Sequence, residues 1–160
     1  MSMKVLFTVF MLVTSLLLSA KEPDSLNSKA NSLLEIWRTN GTDYKLNKSE
    51  SEIITTLYSK IHGDTVAEIQ EEAKNNNMDK DSYIKNSLSF TSFVEDLERK
   101  LEKVDEMEDS ELFILLLKSE VRFKIQKSVR FIPDGFFENE KRARDCFIVI
   151  INELGFAIPM

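Results

Sequence analysis

The chain has 160 residues with 21 Lys and Arg against 27 Asp and Glu, a net charge of −6, and this acidic balance argues against nucleic acid as a partner. It contains one Cys and one His, Cys146 and His62, which excludes an intrachain disulfide and a zinc centre built from those two residue types.

In chain order, Lys4 precedes the apolar run Val5 to Leu18 and the small residues Ser19 and Ala20. A charged start, an apolar stretch and a small-residue step are the layout of a secretory signal peptide. Cleavage is expected after Ala20, giving a signal peptide over 1–20 and a helical domain over 21–160. The expected location is secreted and extracellular, because the run is shorter than the ~20 apolar residues of a membrane span. Loss of Lys4 would leave 20 basic against 27 acidic residues and move the charge from −6 to −7. Secreted domains of this size often rely on disulfides, so stability here must come from apolar packing. Eleven Phe residues, two within the signal, supply much of that material. Cys146 reads as a small buried hydrophobe on a helix, with an intermolecular bridge or a reactive thiol as the alternative.

The periodicity is helical throughout, so the expected fold class is all-α, a single-domain bundle of about six or seven amphipathic helices. The first helix runs from about Asp24 to Asn40, with Leu26, Ala30, Leu33, Leu34 and Trp37 on one face and Gly41 past its end. Two sequons follow, Asn40-Gly41-Thr42 and Asn47-Lys48-Ser49, which make Asn40 and Asn47 candidate glycosylation sites; Asn47 is alternatively a helix cap. With Glu50, Asn47 has capping-box spacing before a helix carrying Ile53, Ile54, Leu57, Tyr58 and Ile61, which His62-Gly63 is expected to stop. A new helix then starts at Asp64 or Thr65, with Thr65 and Glu68 as its box, and gives out at Asn75-Asn76-Asn77. A short helix begins at Asp79. Ser92 and Glu95 cap a stronger one over about 92–107, whose seam is Phe93, Leu97, Leu101 and Val104 and whose mixed-sign outer face reads as solvated surface.

The segment from Ser110 to about Phe131 opens with Leu112-Phe113-Ile114-Leu115-Leu116-Leu117, apolar on every side, as in a helix that is buried or faces a ligand on one side. Pro133-Asp134-Gly135 makes a turn. The last helix covers about Phe136 to Leu154, with Gly155 and the apolar Phe156 placed as in a Schellman ending.

Chemistry is mostly ruled out by residue type. Asp79-Lys80-Asp81 opens like a calcium loop, but Ile84 stands where a Gly is required and Phe90 where the bidentate Glu belongs. No phosphate-binding Gly loop or serine elbow occurs, and a Cys146–His62 pair is the only nucleophile–base combination with a Cys. No metal, cofactor or catalytic residue is assigned, and the chain is not read as an enzyme. The apolar surplus on the last three long helices supports a cavity for a hydrophobic ligand, lined by Phe93, Leu97, Leu101, Phe113, Leu116, Leu117, Phe123, Phe147, Ile150 and Ile151. The same stripes would equally fill a plain core. Basic residues gather beside them, and Arg122 is the candidate partner for a ligand carboxylate, with an anionic membrane surface as a further partner.

Leu46-Asn47-Lys48-Ser49-Glu50, Asn77-Met78-Asp79-Lys80-Asp81-Ser82-Tyr83 and Glu102-Lys103-Val104-Asp105-Glu106-Met107 resemble the helix starts and the Glu-Lys-Ile-Asp-Ala-Leu pattern of the nematode fatty acid and retinol binding proteins. The resemblance spans about Leu46 to Leu154. The chain lacks the family's Ser-Pro step after the central short helix and its N-terminal Pro- and Glu-rich segment. The resemblance implies a carrier of fatty acids or retinoids without cofactor or catalysis. The alternative is a secreted helical interaction protein, an antigen or effector with a filled core and no lipid ligand.

Overall fold

A computed structural model describes residues 25–86, 88–129 and 134–156. Among them are six α-helices, one 3₁₀ turn and no strand, so the chain is an all-α single-domain bundle. The helices are α1 (Leu26–Asn40), α2 (Lys48–Asn75), α3 (Lys80–Lys85), α4 (Leu88–Leu101), α5 (Asp109–Lys127) and α6 (Phe136–Glu153), with the 3₁₀ turn at Val104–Glu106. The expected signal segment lies outside the described residues, as does Pro133 of the expected turn.

Local chemistry sets most of the ends. Asn47 accepts from the Glu50 N–H at 3.0 Å while the Glu50 carboxylate accepts from the Asn47 N–H at 2.8 Å, the reciprocal box that starts α2. Asp79 opens α3 by accepting from the Ser82 N–H at 3.0 Å. Gly155, at φ +74°, closes α6: its N–H donates to Asn152 O at 3.0 Å and the next N–H, of Phe156, to Ile151 O at 3.2 Å. Phe156 then packs edge-on against Trp37 at 6.4 Å, tying the end of α6 to α1.

Three expected boundaries are corrected. α2 does not stop at His62-Gly63 but continues to Asn75, where Asn77 at φ +55° lets the Met78 N–H reach Ala73 O at 2.9 Å. Its buried residues fall at every fourth position, Leu57, Ile61, Thr65, Ile69 and Ala73, so packing on both sides of Gly63 outweighs the ~1 kcal/mol that glycine costs a helix interior. Thr65 is no cap; it is buried, and its hydroxyl donates to Ile61 O at 2.7 Å. Likewise Ser92 lies within α4, which begins earlier because Phe90 is fully buried against Phe136, ring centroids 5.8 Å apart. That helix ends at Leu101, not near 107, and the 3₁₀ turn joins it to α5.

α5 is the centre of the bundle and packs against α1, α2, α4 and α6. The helix read as apolar all round buries Leu112, Phe113, Leu115, Leu117 and Val121 in one cluster with Leu33 and Leu34 of α1, Leu57 and Ile61 of α2, Leu97 of α4, Ile150 of α6, and Leu154 just past the end of α6. A second cluster joins Ile69 and Ala73 of α2 to Tyr83 and Ile84 of α3. The third joins Phe90 and Val94 of α4 to Phe136 and Ala143 of α6.

Candidate functional site

Nine of the ten residues expected to line a cavity belong to the core clusters or pack against them. Leu97, Phe113, Leu117 and Ile150 are buried members of the main cluster, and Leu101 and Leu116 pack partly buried at its edge. Phe93, Phe123 and Phe147 lean on the α4–α6 cluster, and Ile151 is half-buried on α6. Of the ten, only Leu101 lines any of the three surface clefts formed by described residues.

Arg122, read from the sequence as the head-group partner, lies in a seam between helices. Its side chain is 3% exposed, its Nη2 meets Glu72 Oε2 of α2 at 2.5 Å, and its guanidinium carbon sits 4.7 Å from the Phe93 ring centroid. It therefore bridges α5 to α2 and α4. Beside it, burial and the Glu72 carboxylate push the Tyr83 hydroxyl above its ordinary range. Gln126, one turn on, donates to Ile84 O at 2.6 Å. These contacts make a polar seam between α5 and the α2–α3 pair, the kind of place where a buried group must find a partner.

The largest of the three clefts, about 670 Å³, opens at the other end of α5. One stripe of α5 forms its wall with Glu111, Ile114, Leu115 and Lys118, at the i, i+3, i+4, i+7 spacing of a single helix face. The connector supplies Lys103, Glu106 and Met107, the last turn of α4 supplies Arg99 and Lys100, and Asn27 of α1 closes one side. Met107, Ile114 and Leu115 give it an apolar floor. Four cations against two carboxylates give it a net positive lining in an acidic protein.

Those cations are not equivalent. Lys100 Nζ is 2.7 Å from Asp96 and Lys118 Nζ 2.5 Å from Glu68, while Arg99 reaches Asp96 at 3.8 Å. Lys103, on the exposed connector, has no carboxylate partner among the described residues. Glu111 is occupied locally, accepting from the Glu108 N–H at 3.2 Å at the start of α5. Sequence reasoning placed Arg99, Lys100 and Lys103 on a solvated face; the signal for the cleft is the one polar-edged stripe of α5 within its otherwise apolar first half.

The two smaller clefts are less suited to that chemistry. One of about 360 Å³ sets Arg142 among Glu98, Glu102 and Asp145, and one of about 330 Å³ lies between α3 and α5. Arg142 donates to both Glu98 carboxylate oxygens, at 2.8 and 2.5 Å, which holds the Glu98 carboxyl below the ordinary carboxylate range. Cys146 is buried at the base of this cleft, and burial, with Glu98 and Asp145 nearby, pushes its thiol above the ordinary range, the behaviour of a slow thiol. His62 is exposed on α2, stacked on Tyr58 at 6.5 Å. Among the described residues no group of His, Cys, Asp and Glu is placed to hold a metal ion, and no helix is long and apolar enough to cross a membrane.

Both sequon asparagines are exposed, in and beside the α1–α2 connection. Asn40 donates its amide to Ile36 O at 2.9 Å, and Asn47 caps α2 through its carbonyl oxygen, the role given above as the alternative to glycosylation. Comparison of the chain with protein-family models, with characterised proteins and with solved structures finds no match to any of them.

Proposed function

We propose that the protein is a secreted carrier of small hydrophobic ligands with an anionic head, of the fatty-acid class, and that its ligand seat is the cleft between α1, the α4–α5 connector and α5. The observation that carries this reading is an apolar floor edged by four cations, in about 670 Å³, on a protein whose net charge is −6. That volume falls within the range of small-molecule sites, roughly 300–1,000 Å³. The resemblance to fatty acid and retinol binding proteins points to the same ligand class. The proposed seat differs from the one read from the sequence; it is preferred because, of the residues first assigned to a cavity, only Leu101 lines a cleft formed by described residues. Secretion rests on the residues before Lys21.

Titration with a fluorescent fatty acid tests the proposal. Ile114→Glu, on a half-exposed side chain, is expected to abolish binding by placing a carboxylate on the floor. Lys103→Ala removes an exposed cation and is expected to weaken a fatty acid about fivefold, the order of a solvent-facing charge contact, while leaving neutral retinol unchanged. Equal losses for both ligands would reject a head-group role for Lys103. If the folded protein binds no lipid at micromolar concentration, the interaction-protein reading replaces this one. The burial of Leu97, Phe113, Leu117 and Ile150 in one core cluster favours that second reading.

A further inference from the structure

The outer face of α6 has a different character from the cleft. Phe137 is 70% exposed and Ile148 45% exposed, though both are large apolar side chains. Single exposed hydrophobics are ordinary, but these two lie about three turns apart on the same stripe of the helix. Lys141 and Arg144 stand between them at the i+4 and i+7 positions from Phe137. From the neighbouring α5, Lys127 joins the edge: Lys127 and Arg144 both lie over the Phe123 ring, at 5.2 and 5.3 Å from its centroid. The two cations share one carboxylate, Glu140, at 3.9 and 3.1 Å, and Lys141 has no carboxylate partner among the described residues. With Glu140 and the exposed Asp145, one turn beyond Lys141, three cations stand against two acids, which leaves this face positive by one on an acidic protein.

Phe137 is also held in position. Its ring meets Phe136 edge-on at 5.7 Å, and Phe136 is buried between Phe90 and Phe123 at 5.8 and 6.1 Å. An aromatic side chain is thus presented outward from a rigid aromatic stack rather than from a loose loop.

We infer that this face of α6 docks on an anionic lipid surface, with Phe137 and Ile148 entering the headgroup boundary while Lys127, Lys141 and Arg144 lie among the lipid phosphates and carboxylates. The occupant is set by charge and by geometry together. The cations favour an anionic surface, and two protruding apolar groups spaced along a helix suit a fluid interface that closes around each of them. The inference does not depend on the cleft, which lies on a separate set of residues.

A chain beginning at Lys21 retains every described helix and is the form to test, because the apolar run Val5 to Leu18 would itself bind lipid. Co-sedimentation with vesicles of phosphatidylcholine alone and with a 30% phosphatidylserine mixture, at low and high salt, gives the readout. The expected result is binding to the phosphatidylserine vesicles only, weakened by salt. Phe137→Ser should weaken it about tenfold and Lys141→Glu at least about fivefold, with fatty-acid affinity in solution unchanged in both variants. Both positions are exposed, so folding, checked by circular dichroism, should be retained. Equal binding to neutral and anionic vesicles, or indifference to both substitutions, would overturn the inference. So would a dimer of the wild type that Phe137→Ser dissociates in the absence of any vesicle binding, which would assign the face to a second copy of the chain.

Discussion

Arg122→Ala separates a structural role from a ligand-binding one. In the fold the guanidinium is 3% exposed, bonded to Glu72 and laid over the Phe93 ring at 4.7 Å. Breaking a fully buried ion pair by removing one partner costs about 3–5 kcal/mol. The Glu72 side chain, however, is 37% exposed, so water reaches the abandoned carboxylate and the figure falls to about 2 kcal/mol. Loss of the contact with Phe93 and of the buried aliphatic stem adds about 1 kcal/mol. The expected destabilisation is about 3 kcal/mol, or a fall of roughly 10 °C in Tm for a domain of this size. Urea unfolding followed by circular dichroism measures it. Glu72→Gln and the double variant complete the cycle, and a coupling of at least about 1 kcal/mol is expected because the two side chains touch. Fatty-acid affinity of the protein that remains folded should equal that of the wild type. A stability loss below about 0.5 kcal/mol would refute the packing argument. A drop in fatty-acid affinity at full stability, with retinol spared, would return the head-group role to Arg122 and take it from Lys103.

Two further predictions test the fold. Gly63→Ala should stabilise the protein by up to about 1 kcal/mol, because the position is inside α2 and an added Cβ meets no atom within 4 Å; a loss of stability in thermal melts would mean that the helix breaks there after all. Glu98 has a lowered pKa in the fold, chiefly from its bonds to Arg142, so its contribution to stability is present above the unfolded carboxyl value near 4.3 and is lost as the pH falls through the folded value. Because Glu98 is 42% exposed, wild type should exceed Glu98→Gln by less than about 1 kcal/mol at neutral pH, with the gap closing in acid; a gap that widens toward low pH would reverse the sign assigned to the pair.

Sequence by itself determined what local chemistry and period control. The Asn47–Glu50 box, the Asp79 cap and the Gly155–Phe156 ending depend on residues within one turn of each other, and each forms as the spacing requires. The apolar run from Leu112 to Leu117 likewise pointed to a helix with most of its surface against other helices, and Leu112, Phe113, Leu115 and Leu117 are buried in the main cluster. What only the tertiary structure decided depends on partners far along the chain. Gly63 carries a stop signal in any local reading, and α2 passes through it because Leu57 and Ile61 pack in one cluster and Ile69 and Ala73 in another. Arg122 looks like one basic residue among several until Glu72, 50 positions away, comes to meet it. Whether an apolar stripe fills a core or lines a cavity is decided the same way. Both uses have the same period along the helix, and only the approach of the facing helices fixes how much space is left between them.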